Sequence, residues 1–178
     1  EEYRKQLNLN GKFVLLNIGR FAQQKNQLRL IEVFKAVAKK DKTATLVLIG
    51  NGPLEEQIVA KIKELKLENK VKILGSRNDV NKIMQAADVF VMTSIHEGLP
   101  IVAVETQTSG LPLVLSSSIT KETDLTDNCA FVGLEEDNEK WADEILKFKT
   151  FKRCDTTKKI IQHNFDNKSA CEIIESIY

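Results

Sequence analysis

Short runs of almost continuous apolar residues alternate along this chain with segments in which apolar residues return every three or four positions. The runs at 13–18, 45–49, 71–74, 89–92, 112–115 and the shorter 130–132 read as strands. They lack a polar face, which predicts a parallel sheet with helices over both faces. Between them, Leu30, Ile31, Phe34, Val37 and Ala38 form one helical stripe. Leu54, Ile58, Ile62 and Leu65 form a second behind the initiator Pro53. Val80, Ile83, Met84 and Ala87 make a third, with Asp79 placed to cap it. Trp141, Ile145 and Phe148 mark a later helix, and Ala170, Ile173, Ile174 and Ile177 a last one. Strict alternation of strand and helix predicts an α/β fold, a Rossmann-like doubly wound parallel sheet of about six strands. No repeat or low-complexity linker interrupts it, so 1–178 reads as a single domain.

In such a sheet ligands bind outside the carboxyl ends of the strands. Gly19-Arg20, Gly50-Asn51-Gly52, Gly75-Ser76-Arg77-Asn78 and Ser94-Ile95-His96-Glu97-Gly98 each follow a strand, so all four loops are expected on one rim. The last loop is the most informative. Glu97 precedes Gly98, Leu99, Pro100 and Ile101, and Glu105 lies about two helical turns beyond Glu97. Pro100 suits the first turn of a helix, whose free N–H groups offer a seat for phosphate. The residues around Glu105 are mostly apolar, which predicts a cleft carboxylate in want of a partner such as a ribose diol. On the first loop, Gly19 permits close approach, and Arg20 and Lys25 supply two positive charges, with Asn26 as the expected cap of the next helix. Two cations and a helix N-terminus worth about half a charge balance a diphosphate's roughly two negative charges without a metal. The pattern describes a socket for a sugar nucleotide.

Composition narrows the alternatives. Hydrophobic residues make up 42% and charged residues 29%, a profile that excludes a disordered chain. The net charge of +1 supplies no global field for nucleic acid or an anionic membrane, and no apolar run approaches the roughly 20 residues of a bilayer span. The opening Glu1-Glu2-Tyr3 lacks an initiator Met and suggests a fragment of a longer protein. Cys129, Cys154 and Cys171 are odd in number and widely spaced, which reads as free thiols in a reducing cytoplasm. With only His96 and His163 in the chain, no metal cluster is expected, and His96 reads as a loop-packing residue. Gly50-Asn51-Gly52-Pro53 lacks the third Gly of a dinucleotide fingerprint, since Glu55 stands there. A Gly-x-Ser-x-Gly elbow, a phosphate loop of the Gly-x4-Gly-Lys type and an Asp-x-Asp pair are all absent.

The Gly19-Arg20…Lys25 motif after the first strand and the Glu97…Glu105 motif on a later loop and helix carry a resemblance. Together they resemble the C-terminal, donor-binding half of retaining GT-B glycosyltransferases, of the family 4 or glycosyl transferases group 1 type. Glu97-Gly98-Leu99-Pro100, followed by Ser109-Gly110-Leu111-Pro112, is similar to bacterial capsule and exopolysaccharide enzymes. The resemblance implies a metal-independent hexosyltransferase that moves a sugar, with retention, from a nucleoside-diphosphate donor to a growing polysaccharide or glycolipid. It implies that Arg20 and Lys25 hold the diphosphate and stabilise it as leaving group. Glu97 would bind hydroxyls of the donor sugar, and the segment of Gly98, Leu99, Pro100 and Ile101 would cap the phosphate. Glu105 would hold the ribose, and the loop of Arg77 and Asn78 the base. No cofactor is implied beyond the donor, a UDP-sugar. The glycan or lipid-linked acceptor would bind through an absent N-terminal domain, leaving the isolated domain inactive. A cytoplasmic setting follows, with peripheral attachment to the inner face of the membrane left open. Two alternatives stand beside it: an enzyme like the nucleotide-sugar 2-epimerases, and a non-catalytic nucleotide-sugar-binding module.

Overall fold

The computed structural model describes residues 2–165, so the apolar stripe at 170–177 lies outside the described residues. A short helix α1 (Glu2–Gln6) leads into β1 (Phe13–Ile18), followed by α2 (Gln27–Lys40), β2 (Ala44–Ile49) and α3 (Glu55–Glu64). Next come β3 (Val71–Ile73), α4 (Val80–Ala86), β4 (Val89–Met92), α5 (Ile101–Thr108) and β5 (Leu113–Ser116). β6 (Cys129–Val132), α6 (Asn138–Leu146) and α7 (Thr157–Gln162) complete the order. The strands pair in parallel as β3-β2-β1-β4-β5-β6. The winding reverses between β1 and β4, which leaves a crevice at the carboxyl ends of the two central strands.

The continuous apolar runs are explained by burial on both sides. Phe13 and Leu15 of β1, with Val89 and Val91 of β4, join a core containing Leu30, Phe34, Ile58 and Trp141. Val14, Leu16, Phe90 and Met92 alternate into a second core with Ile83, Met84 and Ala103. Thus α2, α3 and α6 cover one face, and α1, α4 and α5 the other. Trp141 is fully buried, with its indole N–H donating to the Gly133 carbonyl at 2.8 Å. Truncating a ring of that size to Ala costs about 3–5 kcal/mol.

Several local expectations are corrected. Strand and helix do not strictly alternate: β5 reaches β6 through a loop holding only a 3₁₀ turn at Lys121–Thr123. The buried amide of Gln107 replaces the order a helix would supply. It donates to the carbonyls of Ala103 and Thr123, and accepts from the Leu125 N–H and the Thr126 hydroxyl. Asp79 occupies the cap position of α4, but its side chain does not cap. Instead it accepts two hydrogen bonds from Arg77 and one from the Tyr3 hydroxyl. Asn26 is left-handed and caps α2 without its side chain, because its turn is set by the preceding 3₁₀ turn at Gln23–Lys25. Pro100 sits at the cap of α5 rather than inside the first turn, its extended ψ of 115° turning the chain into the helix. Phe148 lies beyond α6, in a 3₁₀ turn at Lys147–Thr150.

Arg153 is a fastening the pattern did not show. Its guanidinium donates to Ser109 O at 3.0 Å, Met84 O at 2.7 Å and Ala87 O at 2.5 Å. These carbonyls close α5 and α4, where a cation is favoured by the helix dipole. Burial lowers the Arg153 pKa from its ordinary value, yet the charge persists because a guanidinium starts so high.

Candidate functional site

The rim expected from the sequence is present, and backbone hydrogen bonds tie it together. Gly19 N–H donates to Ile49 O at 2.9 Å, Phe21 N–H to Asn51 O at 2.8 Å, and Leu54 N–H to Phe21 O at 3.1 Å. Gly50 N–H donates to Gly75 O at 2.9 Å, which brings in the loop after β3. The glycines of Gly50-Asn51-Gly52 exist for this close approach. A Cβ on Gly50 would lie 2.1 Å from Gly19 O, and one on Gly52 2.4 Å from Phe21 O. They make room for the neighbouring backbone, a reason unrelated to a dinucleotide fingerprint.

A second set of contacts joins the loops after β1 and β4 across the switch point. Ile95 N–H donates to Gln24 O, and the Gln24 amide donates to His96 O, both at 2.8 Å. The Thr93 hydroxyl donates to Asn26 O at 2.9 Å, and the Ser116 hydroxyl to Ser94 O at 2.5 Å. Between these pins, Lys25 Nζ meets Glu97 Oε1 at 2.6 Å. That oxygen is buried, and the Lys25 ammonium is its only polar partner among the described residues. The Lys25 stem passes 3.6 Å from where a Cβ on Gly19 would stand. Arg20 is exposed, and no ion pair among the described residues includes it.

Helix α5 starts beside this pair, and no side chain caps it. Its first amides therefore point into the crevice as donors for an anion. Gly98, Leu99 and Ile101 are exposed at this start, whereas Pro100 is buried. Glu105 stands on the open side of α5. It is exposed, because Ala103, Val104, Thr106 and Gln107 are the residues of α5 that turn into the protein. It lines a cleft of about 210 Å³ with Val80, Asn81, Met84, Thr108 and Ser109, between α4 and α5.

On the loop after β3, Arg77 is exposed but its guanidinium edge is already engaged. It binds both oxygens of Asp79, and the pairing raises the Arg77 pKa. The same guanidinium, helped by the Tyr3 hydroxyl, outweighs desolvation and lowers the Asp79 carboxyl to about 2. Asn78 is exposed beside it. Burial pushes the Cys129 thiol up, which leaves it a poor nucleophile. Among the described residues, no three His, Cys, Asp or Glu side chains gather as metal ligands. No helix there is long and apolar enough to cross a membrane.

The contacts that sequence reasoning missed are those of Gln24, Asn26, Thr93 and Gln27, whose buried amide donates to Arg20 O at 3.0 Å. Each acts through a backbone carbonyl or a single amide, and no spacing in the chain signals such contacts.

The family model of glycosyl transferases group 1 matches residues 1–164. The chain belongs to that family. Among curated members, it is 33% identical over 110 residues to an Escherichia coli UDP-Gal:alpha-D-GlcNAc-diphosphoundecaprenol alpha-1,3-galactosyltransferase, covering 60% of this chain and 28% of that enzyme. It is 38% identical over 97 residues to a Campylobacter jejuni N-acetylgalactosaminyltransferase acting on a diphospho-undecaprenol-linked sugar, covering 54% of this chain and 26% of the other. Anabaena HepE, solved in complex with UDP, superposes with a TM-score of 0.78 at 27% identity, over 98% of this chain and 52% of HepE. The isolated C-terminal domain of a Francisella tularensis group 1 glycosyl transferase shares the fold, with a TM-score of 0.72 at 19% identity over 90% of each chain. This glycosyltransferase chain thus spans about half the length of HepE, and the curated relatives align over little more than a quarter of theirs.

Proposed function

We propose that this chain is the donor-binding half of a retaining, metal-independent glycosyltransferase that uses a UDP-sugar. The observation that carries the proposal is the convergence, at one switch point, of Arg20, the Lys25–Glu97 pair and the uncapped start of α5. Arg20, Lys25 and the amides near Gly98 and Ile101 hold the diphosphate. Their contacts strengthen as the anomeric bond opens and charge builds on the leaving group. Glu97 accepts hydrogen bonds from hydroxyls of the donor sugar. Glu105 holds the ribose from the α4–α5 cleft, with Asn78 and the Arg77 loop toward the base. Retention and hexosyl transfer come from the family resemblance. HepE, crystallised with UDP and with UDP-glucose, supports the choice of nucleotide. The acceptor, a glycan or lipid-linked sugar in the cytoplasm or at the inner face of the membrane, binds through a second, N-terminal domain.

Calorimetry of the chain with UDP, with and without chelator, tests the seat. Binding should survive chelation, and a requirement for added magnesium or manganese would refute the metal-free assignment. Glu105→Gln should weaken UDP roughly tenfold or more, since a charge-assisted hydrogen bond contributes about 1.5–3 kcal/mol. Anomeric configuration of the product made by the full-length parent enzyme, read by NMR, tests retention.

A further inference from the structure

The cation that the proposed site offers to a diphosphate already has a partner inside the protein. Lys25 Nζ lies 2.6 Å from Glu97 Oε1, and the two side chains are only 24% and 11% exposed. Their meeting is built into the loops. Residue 97 forms a parallel bridge with Ile119, Gln24 is bonded on both sides to Ile95 and His96, and Thr93 holds Asn26. An incoming diphosphate must therefore draw Lys25 away from a carboxylate or share it with one. Two anions on one ammonium repel each other, and the repulsion is large in a partly dehydrated crevice. Displaced from Lys25, Glu97 becomes a half-buried carboxylate without a donor, which is unfavourable. A nucleotide sugar removes that penalty because its hydroxyls donate to Glu97. A bare nucleoside diphosphate has no such hydroxyls and leaves the penalty in place.

We infer that Glu97 is a specificity-determining counter-anion. By competing with the diphosphate for Lys25, it favours the intact sugar donor over the nucleoside diphosphate product and helps the product leave. The inference rests on the reading of this crevice as a nucleotide-sugar site, and adds to it a reason for the carboxylate to stand beside the phosphate cation.

Calorimetry with UDP and UDP-glucose on the wild-type chain, Glu97→Gln, Lys25→Met and the double variant tests it, with folding checked by thermal melting. Glu97→Gln keeps the shape and removes the competing charge. It should tighten UDP roughly three- to fivefold, the scale of a partly exposed ion pair, while weakening UDP-glucose. Lys25→Met should weaken UDP, and in that background Glu97→Gln should no longer improve UDP binding. If Lys25→Met weakens UDP but Glu97→Gln leaves it unchanged or weaker, the competition is refuted and the diphosphate seat stands. If Lys25→Met leaves UDP unchanged, or UDP fails to bind the wild-type chain, the seat itself is wrong and the inference falls with it.

Discussion

Gly50→Ala tests whether the rim depends on backbone contact between neighbouring loops. Gly50 has φ of 138°, and an added Cβ would stand 2.1 Å from Gly19 O, 2.9 Å from Gly19 C and 3.5 Å from Phe21 Cε1. The first two are main-chain atoms, so no side-chain rotation relieves the clash. Strain at such a φ costs about 1–3 kcal/mol, and forcing the two backbones apart costs about 1–3 kcal/mol more. Gly75→Ala is the matched control. It also has positive φ, at 64°, yet nothing lies within 4 Å of its added Cβ. Only the left-handed penalty of about 1–2 kcal/mol applies there. At roughly 2–4 °C per kcal/mol for a chain of this size, Gly50→Ala should melt about 5–20 °C below wild type and Gly75→Ala only a few degrees below. Thermal melting by circular dichroism reads the difference, and calorimetry at a temperature where both variants are folded reads UDP. Because Gly50 abuts Gly19, UDP binding should fall in Gly50→Ala well beyond any loss in Gly75→Ala. Equal melting temperatures for the two variants would refute the steric account of the rim.

Three further outcomes are expected. Arg20→Ala should weaken UDP roughly ten- to a hundredfold, as loss of a charged phosphate contact does, with no change in melting temperature since the side chain is exposed; a stability loss with intact binding would reverse its assignment. Arg153→Met should destabilise the chain by about 2–4 kcal/mol, by stripping the charged donor from the ends of α4 and α5, and a melting temperature within a degree or so of wild type would contradict the fastening. The Asp79 carboxyl is depressed to about 2 by Arg77, so its tie contributes above the unfolded value near 3.8 and is lost only as pH falls through about 2. An NMR titration should place it there, and Arg77→Gln should move it back toward 3.8.

The strands were legible because burial on both faces leaves 89–92 without a polar residue and 13–18 with only Asn17, whose buried amide donates to Val91 O, and few other environments write such runs. The site residues were legible for another reason: Arg20, Lys25, Glu97 and Glu105 follow strand ends, and the fold sends every strand end to one rim. What spacing did not convey was partnership. Lys25 and Glu97 were both singled out, but nothing in their positions says that they pair with each other. The exposure of Glu105 could not be read from its apolar neighbours, because adjacency in sequence is not adjacency on a helix: Ala103 and Val104 turn inward, while Ile101, one turn before Glu105, is exposed. Strict alternation fails before β6 because it is a tendency of topology and no apolar stripe marks a helix there. A single buried amide at Gln107 satisfies the backbone there instead.

The contacts across the switch point join residues 72 positions apart, Gln24 to His96. A molecule held between those loops can bind only while β1 and β4 lie side by side. Mass action then makes its occupancy resist separation of the central strands, by about 2.7 kcal/mol at a hundredfold excess over Kd. Amide hydrogens along the Leu15–Val89 and Leu16–Phe90 register should exchange with solvent more slowly on saturation. Those of β3, at the sheet's edge, open by local fraying and should change least. Occupancy of the crevice would thereby be written into the exchange rates of the middle of the sheet, several residues below any atom the ligand touches.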